Sequence, residues 1–513
     1  MTDTALHRTT ADSSPRLAAY HALEGHFAEL CHLGRALSLL SWDRAVMMPK
    51  TGAAARGKQC STLVQIRHKK LTDEKIGDLL QAAATETAAM SDWQHANLRE
   101  MTRLYRRAVA VPNDLAAALS RAANACETKW EEARPENDFA GVEPYLLELL
   151  SLTRQSGQAI ADACGMDNIY DAMLDEFDMG ARYQDIAPLF ADLEEWLPDA
   201  VNRAIEKQTP PLPLGQTPSV ALQEKLGRFL LEKMGYHGRF DTSSHPFSTG
   251  RHGDVRITTR YTSDDFTVDG VLTVMHEAGH GLYDMQVPEE WDEQPVGGVF
   301  DLSMAVHESQ AMVWERQIGQ SLPLWRFLAP YCRDLFGRAD DDPAFQPENL
   351  YRNVNMVKKD LIRVEADEMT YPLHILLRTK LEKAMIDGDL EIKDLPAAWN
   401  DEMQDKFGIT PPNDAQGCMQ DVHWYGGHFG YFPSYLLGAM NAAQVFQSIR
   451  RDIPEIDTDI AAGKFDPVRI WLRENIHSRG CLNMPRDIIK EATGDYLKLE
   501  NFRNHLTARY LEG

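Results

Sequence analysis

From Arg16 to Lys207 apolar residues recur at three- and four-residue spacing, the period of a helix that buries one face. Two clear stretches are Ala18 to Asp43 and Ala117 to Ala133, the second rich in strong helix formers. Punctuation at Pro49, Gly52 and Pro112 divides the region into successive helices. Thr209 to Gly215, TPPLPLG, is the sharpest break in composition and reads equally as an interdomain linker or as a loop within one domain. The pattern then changes. HPFSTG and DVRITTRYT, Asp254 to Thr262, alternate and carry β-branched residues, which predicts a short strand or hairpin. Helical patterning resumes near Val268 and runs to the end, with loops at Asp340 to Pro347 and around Pro411 to Gly417. No period of about 20 to 50 residues repeats, which argues against a solenoid. The expectation is a mainly α protein with one small β-sheet or hairpin, residues 1–14 forming a flexible start and 15–513 a single helical domain.

Composition narrows the function. The formal charge of −24 over 513 residues argues against nucleic acid as a partner, because phosphate binding needs a concentrated basic face. No window approaches the run of about 20 apolar residues that a membrane span needs. The seven cysteines, Cys31, Cys60, Cys126, Cys164, Cys332, Cys418 and Cys481, are odd in number, widely spaced and without a CxxC pair. The start, MTDTALHRTTADSSPRL, is polar and lacks the apolar stretch of a secretory signal. Together these features predict free thiols in a cytoplasmic protein.

Candidate chemistry lies in DGVLTVMHEAGHGLYDM, where His276-Glu277-Ala278-Gly279-His280 forms H-E-x-x-H within an apolar helical pattern. Residues four apart share a helix face, so both imidazoles can address one ion. Glu277 projects roughly 100° round the helix, out of the coordination sphere but within reach of water that the ion activates, which makes it the candidate general base. A catalytic zinc site has three protein ligands and leaves a position for water, so a third ligand is needed. The extended motif that supplies a third His fails, since Tyr283 and Gln286 stand where its Gly and His belong. Asp284 continues the histidine face but lies too far along the axis, and is expected beside the ligands or on the surface. Glu308, in FDLSMAVHESQAMVWERQIG, follows His280 by 28 positions (308 − 280) and can be presented by a second, antiparallel helix. Its neighbour His307 reads equally as a hydrogen-bonding partner of a ligand or as an interior histidine.

HPF (245–247), DVRIT (254–258), HEAGH (276–280), HESQ (307–310), IRVEAD (362–367) and GCMQDVHW (417–424) occur in this order. In these motifs the chain resembles the carboxypeptidase Taq family of metallocarboxypeptidases. SWDRAVMMPKTGAAARGKQ near the start and ATGDYLKLENFRNHLTARY at the end extend the likeness over nearly the whole chain. The resemblance implies a helical body split by a deep, narrow groove and a homodimer. It also implies removal of single C-terminal residues from peptides with broad tolerance. One Zn2+ per subunit is the implied cofactor, with Co2+ as a possible substitute.

Within DVHWYGGHFGYFPSY, the residues favoured as donors to the carbonyl oxygen on which charge builds are His423 with Tyr431 or Tyr435. An exopeptidase must also read a terminal carboxylate, which suits the planar fork of arginine. Arg363 of IRVEAD is the first choice by resemblance. Arg256 of DVRIT, expected on an edge strand that could also pair with an extended peptide, is the second. Either arginine could instead neutralise an acid. The alternatives are a helical zinc oligopeptidase cutting internal bonds, and a binding scaffold in which zinc staples two helices.

Overall fold

The computed structural model describes residues 17–261, 268–298 and 303–512. The start expected to be flexible, the end of DVRITTRYT and the first residues of the Glu308 segment lie outside these. The apolar periodicity becomes helix: Ala18–Val46 and Asn113–Ala133 each contain the stretch read from the sequence and extend past it. Boundaries follow local chemistry. Helix Asp92–Ala110 starts at a capping box in which Ser91 and Gln94 satisfy each other's backbone N–H groups. Helix Phe139–Cys164 stops at Gly165, in the left-handed conformation that glycine adopts without steric cost.

The first helix packs with Glu74–Ala83 and part of Asp92–Ala110 around a small core of Tyr20, Leu23, Phe27, Leu30, Ile76, Leu80 and Met101. Most of the remaining helices enclose one large continuous core. Thr209 to Gly215 is a loop tied to the helical body. Gln208 exchanges two hydrogen bonds with the backbone of Val357, at 2.9 Å each, and the Leu212 N–H donates to Asn349 at 2.7 Å. No helix among the described residues is long and apolar enough to cross a membrane.

The sheet has three strands, β1 (Arg239–Thr242), β2 (Ser248–Thr249) and β3 (Arg256–Thr259), in the order β1-β3-β2. β3 pairs parallel with β1 and antiparallel with β2. Arg256 therefore lies on the central strand, not on the expected edge, and DVRIT has no free backbone edge to offer a peptide. Among the described residues, the outer edges belong to β1 and β2. The physical reason is register: Ser248 and Thr249, in a segment too short to show alternation, pair with Ile257 and Arg256 and cover that side.

Two helices bring the chemistry together, Asp269–Gln286 with H-E-x-x-H and Met304–Met312 with Glu308. They approach through Gly279: a Cβ there would stand 2.6 Å from Ala311 Cα and 2.8 Å from Gln310 O, so only glycine permits this spacing. On the other side Glu308 packs against Gly438 of helix Phe432–Asp452, where a Cβ would lie 2.8 Å from both Glu308 Cβ and Cγ.

IRVEAD forms a tight turn, Arg363–Glu365, which the next residues anchor. Buried Glu368 accepts from Arg509 Nη1 at 2.8 Å and Tyr510 Oη at 3.1 Å, and pairs with His505 Nε2 at 2.9 Å, fastening the C-terminal segment to this turn. Burial alone would raise the Glu368 carboxyl, but Arg509, His505 and Arg316 outweigh it and hold the group well below the ordinary carboxylate range. A carboxylate depressed by folding contributes stability above its unfolded pKa of about 4.3 and loses it as pH falls below that value. Glu368→Gln is expected to cost about 3–5 kcal/mol at neutral pH, because it leaves Arg509 buried without its partner. The variant should also lose stability less steeply than the parent on acidification below about pH 4. Denaturant titrations at stepped pH check both.

Candidate metal centre

The ligating atoms of His276, His280 and Glu308 all lie within 4.8 Å of one another. The two Nε2 atoms are 3.2 Å apart, and Glu308 places Oε1 3.8 Å from the first and Oε2 3.5 Å from the second. Ligands about 2.0–2.1 Å from a tetrahedral ion stand roughly 3.3–3.4 Å apart, so the triangle has the dimensions of one coordination face. Two imidazole nitrogens and one carboxylate are a donor set suited to zinc and to neighbouring divalent metals.

The far side of each imidazole is already engaged, which decides its orientation. His276 Nδ1 is 2.7 Å from Glu315 Oε2, and Glu315 is itself held by Arg316 at 2.9 Å. His280 Nδ1 meets His307 Nδ1 at 2.6 Å, while His307 Nε2 is 3.5 Å from Asp284 Oδ1. If His280 is to offer Nε2 to a cation, its proton must sit on Nδ1 and be donated to His307, whose own proton then lies on Nε2 facing Asp284. Arg251, 3.8 Å from Asp284 and donating to the Gly297 carbonyl at 2.8 Å, closes this chain. His307 and Asp284 therefore orient His280 from behind.

Glu277 is buried, and its Oε2 has no hydrogen-bond partner among the described residues. Burial pushes its carboxyl up, against the pull of His276 and His280. An unsatisfied carboxylate oxygen beside the ligand triangle is suited to taking a proton.

The segment from Asp421 to Tyr435 forms a second wall. His423 Nε2 is 3.3 Å from Tyr435 Oη, and the Tyr431 ring packs against both His423, 5.4 Å away, and Tyr435, 5.1 Å away. The Glu308 carboxylate is near enough to help raise both tyrosine hydroxyls, after burial as the main cause, so both stay protonated and able to donate. Burial lowers the His423 imidazole to about 3, although Asp421 opposes it, so this ring is neutral.

Arg363 is buried. Its Nε and Nη2 donate to Asp421 Oδ1 at 3.0 and 2.7 Å, its Nη1 to Tyr371 Oη at 3.3 Å, and its plane lies 5.1 Å from the Tyr435 ring. Arg256 stands elsewhere, forked onto Asp254 at 2.7 and 3.0 Å and stacked 4.3 Å over Trp42. The structure groups Arg363 with His423 and Tyr435 and leaves Arg256 apart from them.

Sequence reasoning missed Glu315, Arg316, Tyr371 and the partnership of Asp421 with Arg363. Glu315 carried a usable signal. It follows Glu308 by seven positions (315 − 308), two turns on, and the segment Val313–Gly319 that holds it is a π-helix. Tyr371 and Asp421 had no such signal, because only folding brings them to Arg363.

An H-E-x-x-H helix closed by a glutamate from a second helix defines a helical metallopeptidase. The chain belongs to the carboxypeptidase Taq (M32) metallopeptidase family, whose model matches residues 22–510. It is similar to thermostable carboxypeptidase 1 of Thermus thermophilus, at 37% identity over 96% of this chain and 98% of the relative. Among solved structures, it resembles metallocarboxypeptidase 1 of Trypanosoma cruzi, at 36% identity and TM-score 0.93 over 96% and 100% of the two chains. It also resembles the M32 carboxypeptidase of Deinococcus radiodurans, at 32% identity and TM-score 0.90 over 96% and 99%. The protein is a metallocarboxypeptidase, a peptide-bond hydrolase that depends on a divalent metal. If His307 orients His280, His307→Ala should lower metal affinity about 10–100-fold while His276, His280 and Glu308 remain. Competition against a chromogenic chelator measures this, and an unchanged affinity would reduce His307 to a space-filling role.

Proposed function

We propose that the enzyme removes single C-terminal residues from peptides with broad tolerance for the residue released, in a deep groove beside the centre just described. His276, His280 and Glu308 would hold one Zn2+ per subunit, with Co2+ as an alternative. When bound, the metal polarises the scissile carbonyl and lowers the pKa of water toward about 7. The observation that carries this reading is the meeting of two Nε2 atoms and one carboxylate at the separations of one coordination face, beside a buried Glu277 oxygen without a partner among the described residues.

Glu277 takes the proton from the attacking water and returns it to the leaving amine, for which a carboxyl raised by burial is better matched than one in bulk solvent. His423 is a neutral imidazole and the Tyr431 and Tyr435 hydroxyls keep their protons; His423 with one or other tyrosine supplies hydrogen bonds to the carbonyl oxygen as it gains charge. Arg363 receives the terminal carboxylate, fixing which bond lies over Glu277. Arg256, occupied by Asp254 and Trp42, serves the more extended part of the peptide, where the outer edge of β2 can pair with main chain. Main-chain pairing reads no side chain, which supports broad tolerance.

The same proposal includes a cytoplasmic homodimer. Among the described residues, helix Ala53–Leu71 has no buried side chain and exposes Val64 and Ile66, a surface suited to a second copy.

Glu277→Gln should retain the metal and the fold while turnover of a short unblocked peptide falls by about 100-fold or more. Mass analysis of the products should show stepwise loss of single C-terminal residues, prevented by chelation and absent for the C-terminally amidated peptide. Cleavage of the amidated peptide at internal bonds would replace this reading with that of an oligopeptidase.

A further inference from the structure

Beneath Arg363 lies a second guanidinium. Arg378, from helix Tyr371–Asp387, is 0% exposed and places both Nε and Nη2 2.7 Å from Asp421 Oδ2, while Arg363 holds Oδ1. Its Nη1 donates to the His374 carbonyl at 2.9 Å, and its plane lies 4.7 Å from the Trp399 ring. The geometry is a stack of arginine, aspartate and arginine in which each carboxylate oxygen serves one cation. Arg363 is the end nearer solvent.

The charges in this stack do not cancel. Two arginines and one aspartate leave one positive charge, and among the described residues the groups packed around them supply no negative one. His374 and His423 are neutral, lowered chiefly by burial; Arg363 and Arg378 add to this, and Asp421 opposes it, more strongly at His423. Tyr371 and Tyr435 are protonated. Arg316, which faces Tyr371 at 5.7 Å, is already matched by Glu315. An uncompensated buried charge is costly, so the cluster is complete only when an anion joins it. A lone Arg363–Asp421 pair would be neutral and would draw a carboxylate less strongly, because Asp421 would repel part of what Arg363 attracted.

We propose that Arg378 is a positioning residue for exopeptidase recognition: it engages half of Asp421 from below, so that Arg363 keeps a net positive charge which the peptide's terminal carboxylate neutralises. This rests on Arg363 being the carboxylate receptor. The aspartate sets the angle of Arg363, and the buried arginine preserves its charge. Excess charge at the end of the groove, rather than one more hydrogen bond, then distinguishes a free C-terminus from an amide.

The test uses the metal-loaded enzyme and a short peptide whose last peptide bond is replaced by a methyleneamino link. The ligand is made as the C-terminal acid and as the amide, and both are measured as competitive inhibitors. The wild type should favour the acid by about tenfold or more. Arg378→Met should lose most of that preference and raise KM for unblocked peptides about tenfold, with kcat within about threefold and metal content unchanged. Arg378→Lys, which restores the charge, should recover part of the preference. If Arg378→Met does not fold, Arg378→Gln, which offers Asp421 only a neutral amide, takes its place with the same expectation. Full acid preference in either neutral variant overturns the role of Arg378 while leaving Arg363 as receptor. Full preference in Arg363→Met shows that the receptor lies elsewhere and overturns both.

Discussion

Two imidazole nitrogens facing each other at 3.2 Å, with a carboxylate beside them, are the constraint on which the centre depends. Both Nδ1 atoms are committed behind the rings, to Glu315 and to His307, so the facing nitrogens present lone pairs to a common point. Lone pairs converging in a buried site repel one another unless a cation lies between them. The fold has therefore assembled a group of donors that a divalent ion makes stable, and the family to which the chain belongs is one of metallopeptidases.

Holding that arrangement requires backbone approaches that side chains would prevent. Gly279 lets the helix of His276 and His280 lie against the helix of Glu308, and Gly438 lets a third helix close over Glu308 from the other side. That third helix begins just after Tyr431 and carries Tyr435, so the contact that seats Glu308 also delivers the tyrosines. Ligand geometry and candidate transition-state donors are linked through one packing contact. A shift of the third helix would disturb both together.

Opposite the metal side, Asp421 organises a different kind of order. Burial would raise its carboxyl, but Arg363 and Arg378 outweigh burial and hold it far below the ordinary range, so it is a fixed negative centre between two cations. Arg316 spans the two halves, gripping Glu315 behind His276 and facing Tyr371, whose hydroxyl accepts from Arg363. The ligand-orienting carboxylate and the arginine cluster thus share one continuous polar layer. Such a layer fixes relative positions over a distance that packing alone would specify less sharply.

The sequence by itself determined the helical class, through three- and four-residue periodicity, and the spacing that places two histidines on one helix face. It also pointed to Glu308, because H-E-x-x-H leaves a third ligand to be found and this glutamate lies in a helical segment 28 positions after His280 (308 − 280), and to Arg363, through the resemblance carried by IRVEAD. These are local properties, written in neighbouring residues. Only the tertiary structure decided that His307 orients His280, that β3 is central and Arg256 is occupied by Asp254 and Trp42, and that Arg363 shares Asp421 with Arg378. Each of these depends on groups far apart along the chain, whose meeting is set by packing and by the need to satisfy buried charge. No periodicity or spacing encodes that requirement.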